Sequence, residues 1–417
     1  MNDTTTDIRP VALDLRDERL RVHTGIRGTA RALADRFRSG DLGALPVVAG
    51  LIVIWTVLDT ANPTFLSSAN LGNLAMESVP VGVIALGVVC VLLVGQIDLS
   101  VGSVSGLAAA VMALLFVDRG LPWPLAVLAA LTAGALIGWF YGQVYNRLGV
   151  PSFVITLAGL LGFLGIQLGI LGERGSVNIP FDSALVHFAQ TAYVPVWLSY
   201  LLALGAAGGH FVSGFARARG RSRAGLSAPP LRLTALRSGA LLVLLESGVW
   251  YLNRARGVGW MYVAFVALVI AAHHVLTRTR WGRTLYAVGG NAEAARRAGI
   301  DVRRVYTGAL VTCTTLAALG GVLAAARLAS ANQSSGGGDV NLNAIAAAVI
   351  GGTSLFGGRG SAFSALLGVT VIQSISSGLT LLSLSSAYRF AVTGGVLLLA
   401  VALDSVARRS RASHGRG

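Results

Sequence analysis

The sequence predicts an all-α, polytopic membrane protein of about 10 to 12 transmembrane or half-membrane helices, some of them discontinuous. Three observations predict it. The 417 residues are 54% hydrophobic and only 12% charged, with a mean hydropathy of +0.69, whereas a soluble domain is nearer a quarter charged. Apolar runs of membrane-spanning length follow one another along most of the chain. The arginines gather beside those runs, in the N-terminal tail, in 217–237, in 278–304 and after 408.

The net charge of +15 is therefore read as topology, by the positive-inside rule, and not as a nucleic-acid footprint. Every one of the 33 basic residues is arginine; lysine is absent. A Walker A loop needs its lysine on the phosphates, and a pyridoxal enzyme needs one for its Schiff base. The chain is expected to hold no cofactor and no ATPase site of its own, so any ATP energy comes from a partner. Cys90 and Cys313 lie inside apolar runs and read as small buried hydrophobes. His273 and His274 are adjacent, which is not a ligand spacing on one helix face. Neither a catalytic constellation nor a metal site is expected, and the chain is read as a non-enzyme.

Taken in order, residues 1–41 are polar, mixed in charge and expected as a cytoplasmic tail, with a loose amphipathic pattern over 15–38. The membrane domain is expected over 42–407. Its first span is 43–60, followed by a turn-rich stretch, DTANPTFLSSANLGN. The apolar region 79–117 fits two spans, interrupted at GQIDLSVGS. Further runs are 124–146, 151–171, 192–215, 238–253, 259–277, 305–327, 343–357, 361–381 and 388–406. The 343–357 run is short enough for a half-helix. Trp55, Trp123, Trp197, Trp260 and Trp281 sit near span ends, where an aromatic belt places them. With both termini inside, the basic linker 216–237, the loop 278–304 and the tail 408–417 all become cytoplasmic. The arginine-poor loop 328–340 becomes external.

Two glycine-rich interruptions carry the polar residues expected along a translocation path. GQIDLSVGSVSG (95–106) places Asp98 in an apolar region, with Ser100, Gly102, Ser103 and a Gly102–Gly106 GxxxG spacing. It reads either as a broken helix lining a path or as an N-cap at the membrane edge. IGGTSLFGGRGS (350–361), with Thr353 and Ser354, resembles it. That likeness reads either as an internal repeat or as convergent glycine packing. Gln96, Gln167, Glu246, Arg327, Gln373 and Arg389 are further polar residues inside the apolar runs; of the polar groups, Gln167, Asn70 and Gln373 suit a neutral sugar or ordinary interhelical hydrogen bonds.

The stretch 281–304 is far more polar than its neighbours. Asn291 is an N-cap, Glu293 sits in the first turn, and Arg296 and Arg297 sit in the last. Gly299 is a C′ glycine, and Glu293 with Arg297 forms an i,i+4 pair. Ala294, Ala295 and Ala298 would leave a small-residue face for another protein.

Glu293-Ala294-Ala295 with Gly299 resembles the EAA–G loop of ABC importer permeases. GRTLYAVGGNAEAARRAGI, IDLSVGS, AAAVIGGTSLFGGRGS and PSFVITLAG resemble the signatures of that family's monosaccharide branch, which includes ribose, xylose and arabinose permeases. The extra apolar pair around 216–260 is similar to an insertion of its xylose-transport type. The resemblance covers about residues 45–407. It implies the ABC importer permease fold and a coupling helix using Gly289, Asn291, Glu293, Ala294, Ala295 and Gly299. It implies three protein partners: a cytoplasmic ABC ATPase subunit, an extracellular sugar-binding protein and a second copy of the permease. It implies import of xylose or a related pentose across a bacterial cytoplasmic membrane. Other cargoes remain open (ribose, another sugar, a branched-chain amino acid), as does an ion-driven transporter.

Overall fold

The computed structural model describes residues 45–402 except 229, 386, 389, 397, 400 and 401. The two expected tails, the amphipathic pattern in 15–38 and Arg389 lie outside these. Of the run 388–406, the described positions are helical. The helices are α1 (Leu45–Ala61), α2 (Ser68–Leu93), α3 (Val101–Ala113, continued by a π-helical turn to Asp118), α4 (Trp123–Leu148) and α5 (Ser152–Leu171). Then follow α6 (Ala184–Gln190), α7 (Val196–Arg223), α8 (Leu231–Leu252), α9 (Trp260–Arg278), α10 (Arg280–Gly290) and α11 (Ala292–Arg297). The series ends with α12 (Val302–Leu328), α13 (Val340–Ile350) and α14 (Ala362–Leu381). Two three-residue strands, β1 (Ser176–Asn178) and β2 (Ser330–Asn332), pair antiparallel. Among the described residues, nine helices are long and apolar enough to cross a membrane, with α1 and α13 as shorter apolar helices. This is an all-α polytopic membrane protein.

The most buried span is α2, against which α12, α13 and α14 pack; α12 in turn packs along α4 and α3. Small residues let these helices approach. Gly134, Gly138 and Gly142, one per turn on α4, lie against Thr314, Leu310 and Thr307 of α12, the small-residue mode of membrane helix packing. The outlying hairpin is α7–α8, exposed over most of its length. Tyr251 Oη pins it by donating to the Leu66 carbonyl (2.8 Å), and Asn253 Nδ2 ties its two arms together by donating to Ser199 Oγ (3.1 Å).

Several expectations change. The turn-rich stretch after the first span is shorter than expected, because Ser67 accepts the Asn70 N–H and starts α2 at Ser68. The linker 216–237 is mostly helix: α7 runs to Arg223 and α8 starts at Leu231, since arginine is a good helix former once the chain leaves the apolar layer. The stretch 281–304 holds two helices, as Thr279 caps α10 by accepting the Gly282 N–H (3.1 Å), and Gly282, Leu285 and Val288 turn one face inward. Trp55 leaves the belt pattern, its Nε1 donating to Ser374 Oγ on α14 (2.8 Å). The short run near 343–357 becomes α13, 11 residues long, about 16 Å and so half a bilayer core.

Connectivity sorts the loops to two ends. Segments 94–100, 149–151, 224–230, 279–301 and 351–361 share the end that carries α11. Loop 333–339, expected as an external connection, dips inward from the opposite end and reaches α3.

Candidate functional site

The site is built where α2 stops. Gly95 takes φ +71°, a left-handed conformation natural to glycine, and the carbonyls of Leu92 and Val91 accept the Gly95 and Gln96 N–H groups (2.8 and 3.1 Å). Three residues on, Asp98 Oδ1 accepts both the backbone N–H of Ser100 (2.8 Å) and its Oγ–H (2.7 Å). This turn starts α3. Tyr141 Oη on α4 donates to Ser100 Oγ (2.8 Å), giving a buried chain Tyr141–Ser100–Asp98. The N–H of Leu99 goes to Thr156 Oγ1 on α5 (3.1 Å), and its carbonyl accepts from Asn341 Nδ2 on α13 (2.6 Å). Backbone that leaves the helix inside a membrane protein needs such partners, because no water supplies them.

The second break, after α13, repeats the device. Ser354 Oγ accepts the Phe356 N–H (3.3 Å), as Asp98 does for Ser100, and Gly357 and Gly358 take φ +85° and +74°. Ser354 N–H donates to the Arg359 carbonyl (3.0 Å), and the Thr353 N–H to Ala348 (3.1 Å). Tyr286 on α10 donates to the Gly360 carbonyl (3.0 Å). Burial lifts the Tyr286 phenol above its ordinary range, so it stays a donor.

The two breaks meet at α10. Gly358 N–H donates to the Leu93 carbonyl (2.9 Å). Gly289 lies over the same carbonyl, with no room for a Cβ, and a Cβ at Gly357 would stand 2.8 Å from Gly289 O and 2.9 Å from Gly95 N. Three glycine-bearing segments far apart in sequence thus touch backbone to backbone.

Beyond Gly290 comes α11, with the expected caps. Asn291 Oδ1 accepts the Ala294 N–H (2.9 Å). At the other end the Ile300 N–H reaches Ala295 O and the Gly299 N–H reaches Arg296 O (both 3.0 Å), with Gly299 at φ +82°, a Schellman motif. Glu293 pairs with Arg296 (2.6 Å) as well as Arg297 (3.2 Å). The expected alanine face is corrected: Ala294 and Ala298 are exposed, but Ala295 is buried in the core cluster with Val302 and Val305 and anchors the helix. Gly289 likewise faces inward, onto the breaks. The exposed positions of this segment are Asn291, Glu293, Ala294, Arg296, Arg297, Ala298 and Gly299. A cavity of about 550 Å³, lined by Gly95, Gln96, Tyr145, Arg296, Arg303 and Tyr306, separates α11 from the first break.

The residues expected along a path are all buried against the chain itself. Asp98, Ser100, Thr353 and Ser354 form the two turns, and Ser103 Oγ donates to the Ser100 carbonyl (3.0 Å). Gly102, with Gly106, packs on the inward-dipping loop as well as on helices α13 and α5; a Cβ at Gly102 would stand 2.5 Å from Gly336 O and 3.1 Å from the Asn341 Cβ. Gln167 Nε2 holds that loop by donating to Asn332 O (3.0 Å) and Ser335 O (2.9 Å). Sequence reasoning missed Tyr141, Thr156 and Asn341. Thr156 and Gly159 lie inside the PSFVITLAG motif, and Gly159 leaves space for the Tyr141 hydroxyl; Tyr141 and Asn341 carry no local signal.

Residues 70–401 match the family described as branched-chain amino acid transport system / permease component. The chain belongs to that family. The permease is 35% identical to the xylose transport system permease protein of Escherichia coli, over 89% of its own length and 94% of the relative's. It is 32% identical to the protein of that name from Haemophilus influenzae, over 89% and 98%. The ribose import permease protein of Escherichia coli is 31% identical, over 85% and 91%. These relatives fall in the monosaccharide branch that the motifs resemble. No solved structure matches the permease.

Proposed function

We propose that the permease is the membrane subunit of an ATP-driven importer for a monosaccharide, xylose or a related pentose, in a bacterial cytoplasmic membrane. Two copies form the pathway, a binding protein delivers the sugar outside, and ATPase subunits grip α11 inside. The relatives named for xylose and ribose transport support the cargo. The end that carries α11 also carries Arg147, the 217–237 arginines, Arg278, Arg280, Arg283 and Arg303–Arg304, which supports a cytoplasmic placement for it.

One observation carries the coupling: Gly289, three residues before the start of α11, touches both helix breaks. A push on α11 by a closing ATPase is delivered to the backbone at Leu93–Gly95 and Gly357–Gly358, the points where α2–α3 and α13–α14 are interrupted. The buried residues Asp98, Ser100, Ser103, Thr353 and Ser354 then act as hinge groups beside the path. Alternating access of this kind is a two-state equilibrium biased by nucleotide in the partner.

The test is uptake by the permease reconstituted with its ATPase subunit and binding protein. Labelled xylose, ribose, glucose and leucine are offered with and without ATP. Xylose uptake that needs ATP is expected. Uptake of leucine alone would transfer the reading to an amino-acid permease, and uptake without the ATPase subunit would overturn it.

A further inference from the structure

A carboxylate sits in the middle of the membrane domain and faces outward. Glu77 is the tenth residue of the 26-residue α2 and Gln373 the twelfth of the 20-residue α14, about 14 Å and 17 Å along their helices. Gln373 Nε2 donates to Glu77 Oε2 at 2.8 Å. Glu77 is exposed while the residues beside it, Met76 and Ser78, are buried. Among the described residues it has no ion-pair partner. An ionisable group at this depth is too costly to leave against lipid and belongs on a water-filled path or a protein contact.

The pair is part of a stripe. On α2, Asn70, Asn73 and Glu77 share one helical face, and Asn73 is exposed. On α14, Thr370, Gln373 and Ser377 do the same, and Ser377 Oγ donates to Asn70 Oδ1 (3.1 Å), closing the stripe at its outer end. Pro80, three residues past Glu77, removes one N–H from the α2 ladder at this level. The groups are carboxylate, amide and hydroxyl. That set recognises a neutral polyol: sugar hydroxyls donate to the carboxylate and accept from the amides. A stripe built for an anion would hold arginine, and among the described residues the arginines lie toward the ends of the long apolar helices or in the loops between them.

We propose that Glu77, Gln373 and Asn73 form the hydroxyl-binding wall of the sugar path, at the surface that α2 and α14 turn toward the pathway. This rests on the sugar-importer reading above. Glu77 accepts hydroxyls of the passing sugar, Gln373 holds the carboxylate in place, and Asn73 offers a further donor and acceptor toward the outer mouth. Because a site that hydrogen-bonds hydroxyls discriminates by their geometry, this stripe also sets preference among pentoses.

The test uses the full permease assembled with its ATPase subunit and binding protein in proteoliposomes, with labelled xylose and ribose as probes. Glu77→Gln keeps shape and length and removes the charge; Asn73→Ala alters an exposed side chain. Glu77→Gln is expected to lower xylose uptake at least tenfold. Each variant is expected to change the xylose-to-ribose ratio at least threefold, with copy number and ATPase-subunit copurification unchanged. Uptake of both sugars within twofold of the parent, at an unchanged ratio, would overturn the proposal and leave the importer reading intact. Loss of uptake together with loss of the assembled complex would overturn it in favour of a contact between copies. A parent complex that carries neither sugar would overturn both.

Discussion

Gly289, at the end of α10, lies so close over the carbonyl of Leu93, in the last turn of α2, that a Cβ there would overlap its oxygen. Gly289→Ala is therefore expected to push α10 off the first break. Its neighbour Gly290 has open space where a Cβ would go. Gly289→Ala should cut uptake at least tenfold with the ATPase subunit still copurifying, whereas Gly290→Ala should stay within about twofold of the parent. Overpacking of this sort costs ~1–3 kcal/mol in a packed core. Uptake and copurification measured side by side check it, and equal behaviour of the two variants would remove the link between α11 and the breaks.

Glu293 is exposed and pairs only with Arg296 and Arg297 of its own helix among the described residues. Such surface pairs are worth roughly 0.2–1 kcal/mol, too little to threaten folding. Glu293→Ala should leave the amount of permease in the membrane unchanged while uptake is lost. Gly299 holds φ +82°, so Gly299→Ala should add ~1–2 kcal/mol of strain at the end of α11 and act in the same direction. Immunoblotting and uptake on the same membranes decide the matter; parental uptake in the double variant would sink the coupling role.

The Oδ1 atom of Asp98 does two things, accepting the N–H and the Oγ–H of Ser100. Asparagine keeps that acceptor and alanine does not. Asp98→Asn should retain uptake within about fivefold, while Asp98→Ala should lose tenfold or more, since it leaves buried donors unpaired at ~1–3 kcal/mol each. Equal loss in both would mean that the charge, not the turn, is what matters at this position.

Tyr141 and Gly159 fit each other, the hydroxyl of one occupying the space a Cβ of the other would need. Gly159→Ala should lower the melting temperature of the purified permease by several degrees. Tyr141→Phe should cost about 1 kcal/mol through its lost bond to Ser100. Because the phenyl ring lacks the clashing oxygen, the double variant should be less unstable than the two losses summed, by ~0.5 kcal/mol or more. A thermal-shift double-mutant cycle measures this.

Much of the capped helix α11 was legible in the sequence because its determinants are local. Asn291 caps the N–H three residues on, Glu293 meets Arg297 one turn on, and Gly299 closes a motif within six residues. The likeness of 95–106 to 350–361 was also legible, and the shared turn at Asp98 and Ser354 gives it a physical basis. The inward turn of Ala295 was not, because an alanine reads the same whether it faces its own core or a partner. Glu77 escaped notice because it lies beside the turn-rich stretch, where α2 had not been expected to reach; Gln373, its partner, stood out as a polar residue inside a span.

By itself the sequence determined that this is a multi-pass helical membrane protein, the order of its spans and the capped helix between α10 and α12. Hydropathy, arginine placement and capping all act over a few residues or one span, so one-dimensional spacing suffices for them. Only the tertiary structure decided what those spans do together. It brought Gly289 onto the breaks, tied Leu99 to Thr156 and Asn341, and set Gln373 against Glu77 across 296 residues. Those contacts follow from how helices pack through glycine and small-residue faces, and no local pattern encodes which face meets which.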